Sequence, residues 1–374
     1  MKQTRLAVWS LFTFFAISQA YGAQYRVVEL PVAELGSNTF PAAMNNTGDI
    51  AVNVQLKYNP YIDTSLIDFN SDTVINNLTN IDGVRGGDLE GEDYLWLYSY
   101  ITSNSENPLF QQIASLNGYI DNGSSSEPVH GFDTFDNFSQ EFNNSATVMV
   151  KSINNSGNLA GVSQDGFYPL TYFTDDGLST TYIVNDFYSR AFAEIDGKTI
   201  ALPPPELTAG GLSEANDINI YNQVVGFGTT ELMDESFQIS VENCLGEKTC
   251  LLAFSQQLNS SVAFLAQKRG IIWQLDDNGN LIDTYILGML ISPSSTDTSI
   301  YNSTAVAIND NGIAVGESPA YYQNTNALTT AAAIYIDDQV TTINQDEEVF
   351  ASTAADINNS NFMVGKVTKT VNGI

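Results

Sequence analysis

The stretch AVAINDNGIAVG, Ala305 to Gly316, is the most informative segment of the chain because a version of it occurs five times. The other copies are FPAAMNNTGDIAV (Phe40 to Val52), VKSINNSGNLAG (Val150 to Gly161), ANDINIYNQVVG (Ala215 to Gly226) and AADINNSNFMVG (Ala354 to Gly365). Each places an apolar residue directly before Asn: Met44-Asn45, Ile153-Asn154, Ile218-Asn219, Ile308-Asn309 and Ile357-Asn358. Four positions after the apolar residue stand Gly48, Gly157, Asn222, Gly312 and Asn361. Gly and Asn enter the left-handed backbone region at least cost, so this position is read as the residue that closes a tight hairpin turn. Three mostly apolar residues then lead to Gly161, Gly226, Gly316 and Gly365, where a glycine inside a strand marks a bulge or a close backbone approach. The first copy has Val52 there and reads as a terminal or degenerate unit.

Second hairpins lie between the motifs. Tyr172 to Tyr182 turns at Asp175-Asp176-Gly177, Ala193 to Leu202 at Asp196-Gly197, Ile272 to Ile282 at Asp277-Asn278-Gly279, and Ile334 to Ile343 at Asp337-Asp338. Asp-Gly and Asn-Gly between alternating apolar residues are strong hairpin signals. Two hairpins per repeat make four strands, the content of one propeller blade. The expected fold is therefore all-β, a β-propeller-like repeat of about five to seven four-stranded blades. Residues 24–374 form the repeat domain, with a partly helical insertion at 58–144. In that insertion Asn107-Pro108 is expected to open a short helix with Leu109, Ile113 and Leu116 on one face, ended by Asn117-Gly118, and Tyr94 to Ile101 a second.

The amino terminus sets Lys2 and Arg5 before an apolar run from Leu6 to Ile17 and small residues up to Ala23, the layout of a secretory signal peptide at 1–23 cleaved between Ala20 and Ala23. The run is shorter than the roughly 20 residues of a spanning helix, so no membrane insertion is expected after cleavage. The expected location is periplasmic, cell-surface or extracellular. With 43 Asp plus Glu against 13 Lys plus Arg, the net charge is -30, which repels phosphate backbones and anionic lipid and argues against nucleic-acid partners.

The A-x-x-I-N-x-x-G-x-x-V-G pattern, with A-F hairpin segments such as Arg190-Ala191-Phe192 to Leu202, resembles the HAF-type repeats of extracellular bacterial proteins. With the signal peptide and long insertions, the whole chain is most similar to the exported proteins grouped as domain-of-unknown-function family 3466. The resemblance implies an extracellular or periplasmic address and a propeller-like fold, and it carries over no catalytic residue. The chain stops at Val371 to Ile374 just after a repeat motif, so a truncated chain is one expectation.

Chemistry is sparse in the sequence. Cys244 and Cys250 are the only cysteines, and in an oxidising compartment they are expected to bridge across a short hairpin loop. His130 is the only histidine, which leaves zinc short of ligands and makes it the sole histidine base open to a serine nucleophile; a loop contact is the better reading. Glu90, Glu92 and Asp93, and Asp276 with Asp277, are nominal carboxylates for glycoside cleavage but read better as turn formers and solvated surface. The run Asp82 to Asp93 invites calcium, yet it lacks the D-x-[DN]-x-[DN]-G ladder and reads as an acidic loop. No cofactor is expected, and calcium is the one ion the composition would suit. Core packing accounts for Trp96 and Trp273 better than a sugar platform does. The expected role is a non-enzymatic binding or structural module with a protein or glycan partner; the alternative is a carbohydrate-active hydrolase using a carboxylate pair in a propeller mouth.

Overall fold

The computed structural model describes residues 27–369, apart from 105–106, 108–109, 133–134, 137–140, 143–146, 167, 174–176, 295–296, 323–326 and 344–348. The expected signal segment lies outside the described residues. A first sheet is built from β1 (Gly36–Met44), β2 (Ile50–Lys57), β3 (Leu116–Asp121) and β4 (Ser126–Val129). Between β2 and β3 run the helices α1 (Asp72–Ile75), α2 (Ile81–Arg85) and α3 (Gly91–Ser103). A short ladder of β5 (Phe135–Asp136) and β6 (Glu141–Phe142) precedes the second sheet.

The second sheet joins β7 (Val148–Ile153) and β8 (Leu159–Ser163) to β11 (Arg190–Ile195) and β12 (Lys198–Leu202), with the hairpin β9 (Tyr168–Phe173) and β10 (Ser179–Val184) as a separate two-stranded excursion. The third comprises β13 (Ser213–Ile218), β14 (Gln223–Leu232), β15 (Ala266–Leu275) and β16 (Leu281–Ile286), with α4 (Glu235–Glu242) and α5 (Lys248–Leu265) between β14 and β15. The fourth holds β17 (Thr304–Ile308), β18 (Ala314–Tyr321), β19 (Leu328–Ile336) and β20 (Gln339–Thr342), and β21 (Val349–Ile357) with β22 (Met363–Lys369) make a two-stranded fifth. All pairings inside these sheets are antiparallel. Among the described residues the chain is thus mostly β, in four-stranded antiparallel sheets laid down in series.

One local device repeats in every sheet. The register of the first strand slips at Pro41/Ala43, Val150/Ser152, Ala215/Asp217, Ala305/Ala307 and Ala354/Asp356, the mark of a β-bulge. Facing four of these bulges are the repeat glycines. A Cβ on Gly161, Gly226, Gly316 or Gly365 would fall 2.2, 1.9, 2.0 or 2.2 Å from the backbone oxygens of Met149, Glu214, Thr304 and Thr353. The glycine is therefore demanded by close approach and not by φ. Val52 occupies this place opposite Pro41 in the first sheet and is buried there, so that sheet keeps the bulge without the glycine.

The core lies between consecutive sheets. Trp273 and Tyr335 are its largest buried side chains, and each keeps its polar tip satisfied: Trp273 Nε1 donates to Pro203 O at 3.0 Å and the Tyr335 hydroxyl to Glu317 O at 3.2 Å.

Three expectations are corrected. The segment expected to form a helix from Asn107-Pro108 has none at its described positions, and Leu116, Asn117 and Gly118 belong to β3, because pairing with β2 outweighs a short apolar spacing. The stretch 58–144 is not one inserted unit, since β3 and β4 within it complete the first sheet. Finally, Cys244 and Cys250 lie at bonding distance with Cα atoms 5.7 Å apart, but they join the end of α4 to the first turn of α5 and not a β-hairpin.

Candidate functional site: a belt of turns, a cavity and a cleft

The repeated asparagine does two jobs at once. Its side-chain oxygen accepts the amides two and four residues on: Thr47 and Asp49 for Asn45, Ser156 and Asn158 for Asn154, Tyr221 and Gln223 for Asn219, Asn311 and Ile313 for Asn309, Ser360 and Phe362 for Asn358. The turn is thereby fixed by the side chain that begins it. Its closing residue is left-handed in every copy, with φ of 94° at Gly48, 85° at Gly157, 56° at Asn222, 75° at Gly312 and 63° at Asn361. The side-chain nitrogen reaches into the next sheet: Asn45 donates to Asn154 O, Asn154 to Asn219 O, Asn219 to Asn309 O and Asn309 to Asn358 O, at 2.9 to 3.3 Å. Five turns are stitched into one belt.

Inside the belt, the first strands of all five sheets line a cavity of about 520 Å³, with Ala43, Lys151, Asp217, Thr304 and Asp356 on its wall. Lys151 Nζ sits 2.5 Å from Glu214 Oε2 and donates to Asn216 Oδ1 at 2.9 Å. Asp217 is held by three donors. Ser152 Oγ at 2.6 Å and its neighbour's amide, Ile218 N, at 2.9 Å donate to Oδ1, and Ile308 N at 2.8 Å donates to Oδ2. One carboxylate thus ties the second, third and fourth sheets together. Removal from water pushes its pKa up to about 6, with the nearby Asp356 charge adding to the rise and the three donors opposing it. Asp356 accepts from Ile357 N at 2.7 Å, the equivalent local bond.

A second concavity opens at the turn end, between the third and fourth sheets. This cleft of about 670 Å³ is flanked by Tyr221 and Tyr285 and edged by Gln274, Asp337, Asp338 and Gln339. Tyr221 is 60% and Tyr285 48% exposed. Tyr221 comes from the third motif turn, and the β19–β20 turn, in which Asp337 has φ 51°, supplies the acids. Two exposed phenol rings in one cleft with amides and carboxylates can stack on a ring face and hydrogen-bond several hydroxyls.

The residues singled out from sequence lie elsewhere. His130 follows β4, and its pKa is lowered by burial and by Lys57; it lines neither concavity. Asp93 turns inward in α3 and accepts Thr79 N, Thr79 Oγ1 and Asn80 N at 2.7 to 2.9 Å, which fixes the helical segment and lowers its pKa. Glu90 and Glu92 flank it at the start of the same helix. Asp276 caps its own turn by accepting Asn278 N and Asn280 N. Trp96 stacks on Tyr100 at 5.0 Å in the helical segment, and Trp273 is in the core. In the run Asp82 to Asp93, as elsewhere among the described residues, no three His, Cys, Asp or Glu side chains gather as a metal group.

Asp217 and Asp356 depart from the expectation that acids in this sequence form turns. The signal was present: both stand immediately before Ile-Asn, in ANDIN and AADIN, on a first strand and not in a turn. Tyr221 was equally visible as the one aromatic inside a motif turn.

No curated protein matches the chain. A family model does match, over residues 4–374, which is essentially its full length. The chain belongs to the family described as protein of unknown function DUF3466.

Proposed function

We propose that the serial sheets are blades of a β-propeller and that this exported protein is a non-enzymatic binding scaffold whose ligand seat is the cleft of Tyr221 and Tyr285. The ligand class the cleft suits is a glycan. Supporting this is one observation, two half-exposed tyrosines lining one cleft with Gln274, Asp337, Asp338 and Gln339 between the third and fourth sheets. Sugars offer apolar ring faces for stacking and hydroxyls for carboxylates and amides.

The hydrolase reading has its own observation, an acid with a raised pKa near a second acid in a cavity. Both oxygens of Asp217 already accept hydrogen bonds from three sheets, so its chemistry serves as a strut, and the acid a glycosidase needs must be free to protonate a leaving group.

The test is a glycan-array screen of the mature protein followed by titration of the best binder. Tyr285→Ala and Tyr221→Ala should each weaken binding by about tenfold, on the order of the 1.4 kcal/mol expected of a lost stacking contact. Binding unchanged by both substitutions would remove the cleft from consideration, and release of reducing ends that depends on Asp217 would restore the hydrolase.

A further inference from the structure

The cleft of Tyr221 and Tyr285 is built in part from two turns that break the rules their sister turns obey. After the motif asparagine the other copies carry Asn46-Thr47, Asn155-Ser156, Asp310-Asn311 and Asn359-Ser360, all polar pairs. The first member of the pair serves an outer row of bonds: Asn46 N donates to Asn155 Oδ1, Ile220 N to Asp310 Oδ1 and Asp310 N to Asn359 Oδ1, at 2.8 to 3.2 Å. The third copy has Ile220-Tyr221, and Ile220 has no oxygen to accept the corresponding bond from Asn155. Both residues are exposed. A bond of the belt is given up there, and in its place stands an exposed phenol whose turn is braced by Gln274 Nε2, which donates to Tyr221 O at 3.0 Å.

The acidic wall departs in the same way. The β11–β12 and β19–β20 hairpins both close on two residues, Asp196-Gly197 between the paired Ile195 and Lys198, and Asp337-Asp338 between the paired Ile336 and Gln339. Such a turn prefers glycine second, and Gly197 is left-handed with φ 74°. The fourth sheet puts Asp338 in that place and Gln339 where the second has Lys198. A poorer turn former and a lost cation leave two adjacent carboxylates on the cleft. Local rules broken on two walls of one concavity mark a place where side chains serve something other than folding.

The charge of the cleft has one sign. Asp310, Asp337 and Asp338 line it, and among its described lining residues there is no Lys, Arg or His. Tyr285 feels this field: its bond to Asp283, that residue's charge, loss of water and the Asp338 charge together raise its pKa, so the phenol stays neutral. A neutral aromatic face beside carboxylates attracts a cation through the ring and through the anions, while a chain of net charge -30 repels acidic sugars.

We infer that the cleft selects amino sugars whose amines are free and protonated, with the ammonium seated between a tyrosine face and Asp338. This selectivity rests on the reading of the cleft as a glycan seat and narrows it. An N-acetylated chain has the same ring faces without the charge, and a uronic chain carries the opposite charge.

The test titrates the full chain at about pH 5.5, where the amines are protonated, with a glucosamine hexamer, an N-acetylglucosamine hexamer, a galacturonate hexamer and a hexalysine peptide. The glucosamine hexamer is expected to bind at least about tenfold more tightly than its N-acetylated counterpart, and galacturonate not to bind. Tyr221→Ala and Asp338→Asn should each weaken glucosamine binding by about tenfold, whereas Asp82→Asn, an equal change of charge at an exposed position of α2, should leave it unchanged. Equal affinity for the glucosamine and N-acetylglucosamine hexamers, lost in Tyr221→Ala, overturns the selectivity and keeps the glycan seat. Failure of the glucosamine hexamer to bind overturns the selectivity alone when another glycan binds through Tyr221, and removes the seat as well when none does. Hexalysine bound as tightly as glucosamine makes the partner a cationic peptide, and a loss in Asp82→Asn equal to that in Asp338→Asn makes the attraction one of net charge; either result overturns the selectivity.

Discussion

The belt of repeat turns and the two helical excursions solve the same problem by different means. In the belt, each asparagine fixes its own turn and holds the next sheet, so one side chain answers to two neighbours and cannot vary in type without loosening both. The excursions between β2 and β3 and between β14 and β15 each make a private core: Val74, Leu78, Val84, Leu97 and Ile101 in one, Leu232, Phe237, Val241 and Leu258 in the other. Their helices answer mainly to local packing, where any apolar residue of suitable volume serves, although Ser255 and Lys248 of α5 also reach Tyr188 N and Asp186 outside the unit. Identity is enforced where contacts cross sheets and relaxed where they stay local.

The sharpest way to break that contrast is Gly316→Ala. The new methyl would meet Thr304 O, a backbone atom that cannot swing aside, and a loss of about 3 kcal/mol is expected from denaturant unfolding. Gly312→Asn, at a turn that tolerates a left-handed Asn in two sister copies, should cost under about 1 kcal/mol. Equal losses would mean that the strand glycine is not held by close approach.

Asp217 gives the next largest effect, through pH. Its folded pKa is raised above that of the unfolded chain, so the native state binds the proton more tightly. Stability from this group is therefore greatest below about pH 4 and is lost as pH rises toward about 6. Asp217→Asn, which has no proton to bind, should lose this dependence. The stability gap between the two proteins should widen by about 2 kcal/mol from pH 7 to pH 4.5, the value that a folded pKa of about 6 implies. A gap independent of pH would show that the inter-sheet carboxylate does not feel its burial.

A helical excursion should respond least. Asp234 caps α4 by accepting Phe237 N at 2.7 Å, and Asp234→Ala should cost about 1 kcal/mol, the ordinary value of a helix cap, with the Asn belt unaffected in its amide exchange. Exchange that quickens across the belt as well would show that the excursions are not private units.

The same contrast explains what the sequence made legible. The motif, the left-handed residue and the second hairpins at Asp196-Gly197, Asp277-Asn278-Gly279 and Asp337-Asp338 were readable because turn chemistry is local and repeated. The α4–α5 unit was not, although Leu251, Leu258 and Val262 keep helical spacing after Glu247, because nothing elsewhere in the chain repeats it. Leu109, Ile113 and Leu116 misled for the opposite reason: a helix-like spacing was present, but Leu116 is claimed by Gln55 of β2. Of the site, Asp217 is hidden because acids in this sequence mostly form turns, and the Tyr221–Tyr285 cleft because 63 residues of sequence separate its walls and no local pattern joins them.

The belt also dates the protein. Four of its links, from Asn45, Asn154, Asn219 and Asn309, are asparagine NH2 groups donating to a carbonyl of the next turn, and asparagine is the residue that hydrolyses slowly to aspartate. At Asn219 that conversion would replace a donor with an anion facing Asn309 O and Gln223 Oε1, two acceptors, inside a buried site. Chemical ageing would thus act as a latch release, loosening sheet from sheet while each sheet's own ladder stayed intact.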